Sequence, residues 1–298
     1  MNLRDLRYLV ALADTKHFGK AATRCHVSQP TLSAQIKKLE EYLGIELIER
    51  QPRRVALTEM GEQVVDRARR IVSDSDALLT LARSQRDPLS GSLKLALIPT
   101  IGPYLLPLVA KKLRKQFPKL KLMLYEYQTD QLLEALRAGE IDIGILALPV
   151  HADGVDTHKL YDEEFTIALP KDHPLANRNT IKLDELSSDS LLLLEDGHCL
   201  RDQALEICGR ASLEEDQDYR ATSLETLRQM VAAGTGVTLL PKLSTMGPFS
   251  ADKSVLIKSF PRPVPFRTVG SVWRKSTTRS AAIQAVNDVV GAAMSQKD

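Results

Sequence analysis

Two cysteines, Cys199 and Cys208, stand nine positions apart in the stretch LLLLEDGHCLRDQALEIC, with His198 just before the first and Arg201 two residues after it. The thiolate is the reactive form of cysteine, and nearby positive charge favours it. Asp196-Gly197 reads as a turn and the pattern from Leu200 as a short helix. Cys199 then falls at a helix N-terminus, where the dipole also favours an anion. A thiolate held this way attacks a peroxide to give a sulfenic acid, which condenses with a second thiol. Cys208 is the candidate for that thiol. Nine residues of helix rise about 13.5 Å, whereas a disulfide needs Cα atoms about 4.4–6.8 Å apart. A helix here in the reduced protein is therefore incompatible with the disulfide. Closing such a loop changes chain entropy by about 2–3 kcal/mol, enough to tip two packings close in energy. The segment from Asp196 to about Glu215 is expected to be bistable.

Spacing alone leaves a plainer reading open, in which Cys199 and Cys208 are inert buried cysteines. The separation is not a zinc spacing, and one neighbouring histidine does not complete a tetrahedral site, so no metal or other cofactor is expected. Cys25 has no thiol nearby in sequence and reads as structural. Three cysteines do not make a secreted disulfide framework. The N-terminal MNLRDLRYLVAL lacks the layout of a signal peptide, and no apolar run reaches the ~18 residues of a membrane span. A cytoplasmic, nucleoid-associated protein with no membrane partner is expected.

A second set of residues could read DNA. Between Asp14 and Glu40 there is no acid, but there are five Lys or Arg residues and two His. That is an electrostatic footprint for phosphates. Ser28 is a good N-cap, and Pro30 fits the first turn of the helix that follows. That helix, Gln29 to Tyr42, buries Leu32, Ile36, Leu39 and Leu43 and presents Gln29, Pro30, Thr31, Ser33, Ala34, Gln35 and Lys37. Glutamine pairs with adenine, and small apolar groups pack on thymine methyls. Lys37 and Lys38 suit phosphates. Arg53 and Arg54, at the tip of a short turn-and-strand segment, suit the minor groove or the backbone.

The elements that must position these groups divide the 298 residues into more than one unit. Residues 1–58 hold three short helical patterns and a wing. Residues 59–90 hold a long helix and a hinge. The helix carries a near-heptad seam (Val64/Val65, Ala68, Ile71/Val72, Leu78/Leu79, Ala82) that suits pairing with another chain. From 91 the pattern alternates strand and helix, implying a mostly parallel sheet. Residues 91–298 read as two α/β subdomains, I at about 91–163 and 267–298, II at about 164–266, with a ligand cleft between them. Thr100 follows a strand and Thr129 precedes a helix, so both read as caps.

FGKAATRCHVSQPTLSAQIKKLEEYLGIELIER, followed by Arg54 and LTEMG, resembles the N-terminal signature of LysR-type transcriptional regulators. The resemblance implies a multidomain α and α/β fold: a winged helix-turn-helix, a dimerising linker helix, and a regulatory region of two α/β subdomains related to periplasmic binding proteins. It also implies a homotetramer, as a dimer of dimers, on double-stranded DNA. GPYLLP, LEDGHCLRDQA and RATSLETLRQMVAAG resemble the peroxide-sensing branch of that family, over most of the chain and least from Gly247 to Pro265. That likeness implies that Cys199 is the peroxidatic thiol and Cys208 its disulfide partner. It implies that Thr100, Thr129 and His198 position hydrogen peroxide or its water, with Arg267 near the thiol. It implies contact with RNA polymerase, activation of oxidative-stress defence genes, and reduction by glutaredoxin or thioredoxin. Such a protein is not an enzyme. The alternatives are a LysR-type regulator answering to a metabolite in the cleft and, against the N-terminal evidence, an enzyme or solute-binding module.

Overall fold

The structure, a computed structural model, describes residues 1–51, 54–84, 87–186, 189–209, 214–246 and 254–295. The chain divides into two units, Met1–Pro88 with Ala135–Ile141, and Leu89–Glu134 with Asp142–Asp298. None of the described helices is long and apolar enough to cross a membrane.

In the first unit, α1 (Leu3–Thr15) starts with a reciprocal cap, Asn2 accepting from the Asp5 amide and Asp5 accepting from the Asn2 amide. His17 caps α2 (Phe18–Arg24), its Nδ1 accepting from Gly19 N at 3.0 Å. Ser28 caps α3 (Gln29–Leu43), which stops at Gly44 with φ +70°. Strands β1 (Ile48–Gln51) and β2 (Arg54–Leu57) pair antiparallel. Thr58 then opens α4 (Glu59–Ser84), its hydroxyl accepting from the Gly61 amide. A Cβ at Gly61 would lie 2.1 Å from the Leu47 carbonyl oxygen, so only glycine lets α4 pass the end of β1. Leu9, Leu12, Leu32, Ile36, Leu39, Leu47, Val65 and Ala68 form one buried cluster.

The second unit runs β3 (Gly91–Leu97), α5 (Gly102–Gln116), β4 (Leu120–Glu126), α6 (Thr129–Arg137), β5 (Ile143–Leu148) and β6 (Val155–Pro170). It continues through β7 (Ser190–Leu194), α7 (Cys199–Cys208), β8 (Glu214–Ala221), α8 (Leu224–Ala232), β9 (Thr238–Pro241), β10 (Val255–Ser259), β11 (Phe266–Arg274) and α9 (Ser280–Met294). The main sheet is ordered β10-β6-β11-β5-β3-β4, with β9 also on β6. Strands β7 and β8 pair parallel in a separate sheet.

The parallel sheet expected from the βαβαβ pattern is present in β3, β4 and β5, but the larger sheet that contains them is mixed. In the main sheet β3 pairs parallel with β4 and with β5, whereas β11 and β6 enter antiparallel, as do β9 and β10 on β6. The cause is β6, expected only from Phe165 but starting at Val155. Its first part, Val155–Glu164, pairs with β11 around a register shift at Leu160, and its last six residues pair with β9 and β10. One long strand thus serves two regions of sheet.

Candidate functional site

On α3 the expected polar face is present. Ser28, Gln29, Pro30, Thr31, Ser33, Ala34, Lys37 and Lys38 are exposed and Gln35 is half-buried, while Leu32, Ile36 and Leu39 are buried beneath them. The Ser28 hydroxyl accepts from the Thr31 amide at 3.3 Å and shares a hydrogen bond with the Thr31 hydroxyl at 2.8 Å. Lys37 lies 3.9 Å from Glu41, a loose surface pair. Arg53 lies outside the described residues; Arg54 begins β2, and its side chain also lies outside them. A helix with this exposed N-terminal face is what major-groove reading requires.

In the second unit α7 begins on Cys199 and ends on Cys208. Both are free thiols; Cys199 is half-buried, and Cys208 is 1% exposed. Burial pushes the Cys208 thiol up to about 12. His198 is the N-cap residue but makes no side-chain cap bond, which leaves the helix start without a side-chain acceptor. Gly197, at φ +93°, turns the chain into the helix, and a Cβ there would lie 2.6 Å from Gln128 Oε1.

The charges around Cys199 differ from the sequence expectation. His198 is buried, and desolvation lowers its pKa, so near neutral pH the ring is uncharged. Its Nε2 lies 3.9 Å from the Glu195 carboxylate. The Arg201 guanidinium is bound at Nε to Asp196 at 2.9 Å and donates to the Leu194 carbonyl at 3.3 Å. Asp196 also meets Arg220 at 3.1 Å. The positive charge expected from His198 is therefore absent, and that of Arg201 is shared with a carboxylate.

Thr100 and Arg267 do come together. Arg267 donates to the Thr100 hydroxyl and to its backbone carbonyl, each at 3.0 Å, and to Glu163 at 2.8 Å. Glu163 also accepts from the Leu243 amide at 2.9 Å. The capping reading of Thr100 fails, because Ile101 is the N-cap of α5. Thr129 is the first residue of α6, and its buried hydroxyl has no hydrogen-bond partner among the described residues. Glu163 was missed in the sequence. Its signal is an acid pair running directly into the apolar FTIAL stretch. A cavity of about 800 Å³ is lined by Pro99, Gln128 and His198, the residues that precede Thr100, Thr129 and Cys199, together with Tyr104, Glu195 and Ser223. Among the described residues no group of three or more His, Cys, Asp or Glu side chains is arranged to hold a metal ion.

A helix with an exposed polar N-terminal face in one unit and an α/β unit with a cavity in the other suit a ligand- or signal-responsive transcription regulator. Residues 3–62 match the bacterial regulatory helix-turn-helix protein, lysR family, and residues 86–295 match the LysR substrate binding domain. The chain belongs to the LysR family of DNA-binding transcription regulators. It is 46% identical over 294 residues to the DNA-binding transcriptional dual regulator OxyR of Escherichia coli K12, covering 99% of this chain and 96% of that protein. Its fold is similar to full-length Pseudomonas aeruginosa OxyR carrying a cysteine-to-aspartate substitution, with TM-score 0.81, 41% identity and 98% of each chain covered. It is also similar to an H2O2-bound cysteine-to-serine variant of Corynebacterium glutamicum OxyR, with TM-score 0.69, 35% identity, and 99% and 93% coverage.

Proposed function

We propose that this chain senses hydrogen peroxide through a reversible Cys199–Cys208 disulfide and, when oxidised, activates genes of oxidative-stress defence. The observation that carries the reading is the placement of the two thiols. A half-buried Cys199 opens α7, and a fully buried Cys208 closes it. The Cys199 thiolate attacks one peroxide oxygen; the O–O bond breaks, leaving a sulfenic acid and hydroxide, which takes up a proton. The Cys208 sulfur then attacks the sulfenic sulfur, forming the S–S bond and releasing water. Peroxide is the oxidant, and the thiol pair loses two electrons in all. Reduction by glutaredoxin or thioredoxin resets the pair by thiol–disulfide exchange.

Thr100 and the Thr129 hydroxyl, which has no partner among the described residues, supply donors and acceptors for a peroxide together with neutral His198. Arg267 fixes Thr100, and Arg201 fixes the turn ahead of Cys199. Residues 1–58 bind double-stranded DNA through Ser28, Gln29, Pro30, Thr31, Ser33, Gln35, Lys37, Arg53 and Arg54. Residues 59–90 pair two copies, and residues 91–298 sense the signal. Two dimers form a homotetramer that contacts RNA polymerase in the cytoplasm.

A peptide map by mass spectrometry, before and after about one equivalent of peroxide, tests this. A Cys199–Cys208 linked peptide that dithiothreitol removes is the expected result; three free thiols after treatment would refute it. The cavity of about 800 Å³ beside His198 favours one second reading, a regulator that answers to a metabolite. That reading becomes the better one if a small acid, and not oxidant, protects the protein from unfolding.

A further inference from the structure

The second unit holds another cavity, of about 710 Å³, which shares no lining residue with the one beside His198. Ligand pockets commonly have this size and an apolar body with a few polar groups. Here the body is Met246, Val264, Phe266 and Met294, and Phe266 is 58% exposed although it begins a strand of the main sheet. Tyr161 contributes to the wall, but its hydroxyl is buried away from the cavity.

The charges select the sign of what binds. Asp162, Glu163 and Glu164 all line the cavity, and each already faces a cation: Lys159 at 2.6 Å, Arg267 at 2.8 Å and Lys242 at 2.8 Å. Arg262 lines the same cavity, is exposed, and has no ion-pair partner among the described residues. The charge left to be matched is positive. We propose that this cavity is a second ligand site, taking a small amphipathic carboxylate whose apolar body lies on Phe266 and the methionines, with its anionic group at Arg262.

The site is wired to Thr100. Glu163 forms part of its wall, holds Arg267, and Arg267 in turn holds the Thr100 hydroxyl and carbonyl. A ligand that shifts Glu163 therefore shifts Thr100, and by reciprocity events at Thr100 alter affinity at the cavity. This link needs no thiol chemistry.

Calorimetric titration of the reduced full-length protein tests the site, with 3-phenylpropionate and octanoate as probes and their alcohols as controls. The expected result is saturable heat for at least one acid, about tenfold or more tighter than its alcohol. Arg262→Gln, an exposed change that leaves the packing intact, should weaken the acid about fivefold or more and leave the alcohol unchanged. Hydrogen exchange over the segment containing Thr100 should slow on adding the acid and stay unchanged in Arg262→Gln. No saturable heat from either acid, equal affinity for acid and alcohol, or full affinity in Arg262→Gln overturns the site. Binding without any change in exchange at Thr100 overturns the wiring. All these readouts are made on the reduced protein without peroxide, so failure of the disulfide reading leaves them intact.

Discussion

Arg267 holds Thr100 at two atoms, the hydroxyl and the backbone carbonyl, each at 3.0 Å, while its third edge meets Glu163. All three residues are buried. Removing one partner of a buried ion pair leaves an uncompensated charge and costs about 3–5 kcal/mol. Losing one hydrogen bond to a charged group costs about 1.5–3 kcal/mol. Arg267→Leu should therefore destabilise the second unit more than Thr100→Val. Trp273, the single tryptophan, sits on β11 with Arg267 and reports that unit's urea unfolding by fluorescence. Equal losses in the two variants would mean that the ion pair contributes nothing beyond the Thr100 bonds.

The raised Cys208 thiol gives a pH dependence with a definite sign. Its pKa is lifted by burial from an ordinary 9.0 to about 12. In that window the unfolded chain has released the Cys208 proton, and the folded chain has kept it. The folded state binds more protons, so stability falls as pH rises, by at most about 1.4 kcal/mol per unit. Below the ordinary value the contribution is fully present. Cys208→Ala should flatten this descent from about pH 9 upward relative to the parent chain. Parallel descents in the two proteins would assign the slope to other groups.

Oxidation should unwind α7. Its two cysteines are the first and last residues of a ten-residue helix. Helical rise keeps them roughly 13.5 Å apart, and a disulfide tolerates at most about 6.8 Å between Cα atoms. Amide exchange across Leu200–Ile207 should accelerate after peroxide treatment, by about tenfold or more at the central residues, and recover with dithiothreitol. Cys199→Ser should show no change under the same treatment. An oxidised protein that keeps its full exchange protection there would require the two ends to meet by some route other than unwinding.

The contrast between what was legible and what was hidden follows from the range of the interactions. The two ends of α3 were readable because Ser28, Pro30 and Gly44 act within a turn of their own positions. The start of α7 was readable for the same reason, through the turn at Gly197. The first half of β6 was not, because Val155–Glu164 is mostly exposed and shows no regular alternation. Strand β8 reads EEDQDYRA and takes its conformation from pairing with β7. Glu163 and Arg267 meet across 104 positions, a distance no local pattern encodes. His198 was legible as a neighbour of Cys199 but not in its charge, since burial decides that.

Separable DNA-binding effects are expected on α3. Gln29 and Thr31 lie on its exposed N-terminal face, where base edges come within reach. Gln29→Ala should cost about 1–3 kcal/mol on a cognate site and little on random DNA. Lys37→Ala should weaken both about equally and reduce the salt slope by about 1. Fluorescence anisotropy across a salt series distinguishes the two patterns. A Gln29→Ala loss that is the same on cognate and random duplexes would move Gln29 from reading bases to contacting the backbone.

The first half of α4 is covered by its own unit, with Val65 and Ala68 in the cluster that includes Leu9 and Leu12. Beyond it two apolar residues of the seam are uncovered. Ile71 is 48% exposed and Leu78 is 68% exposed, seven positions apart on one helix. A seven-residue spacing puts both on one seam, the geometry of a paired helix. Packing the same seam of a second copy against it would bury both side chains, each contributing about 1.5–3 kcal/mol. Changing Ile71 and Leu78 together to Glu places like charges on both helices of the pair and removes that burial. Sedimentation velocity should then show a smaller species than the parent chain. Affinity for a palindromic site should fall, because the two heads no longer bind as one unit. The α3 surface is untouched, so affinity for a single half-site should stay the same. A double variant that sediments like the parent would mean that copies associate through some other face, and the exposed seam would then need a different occupant.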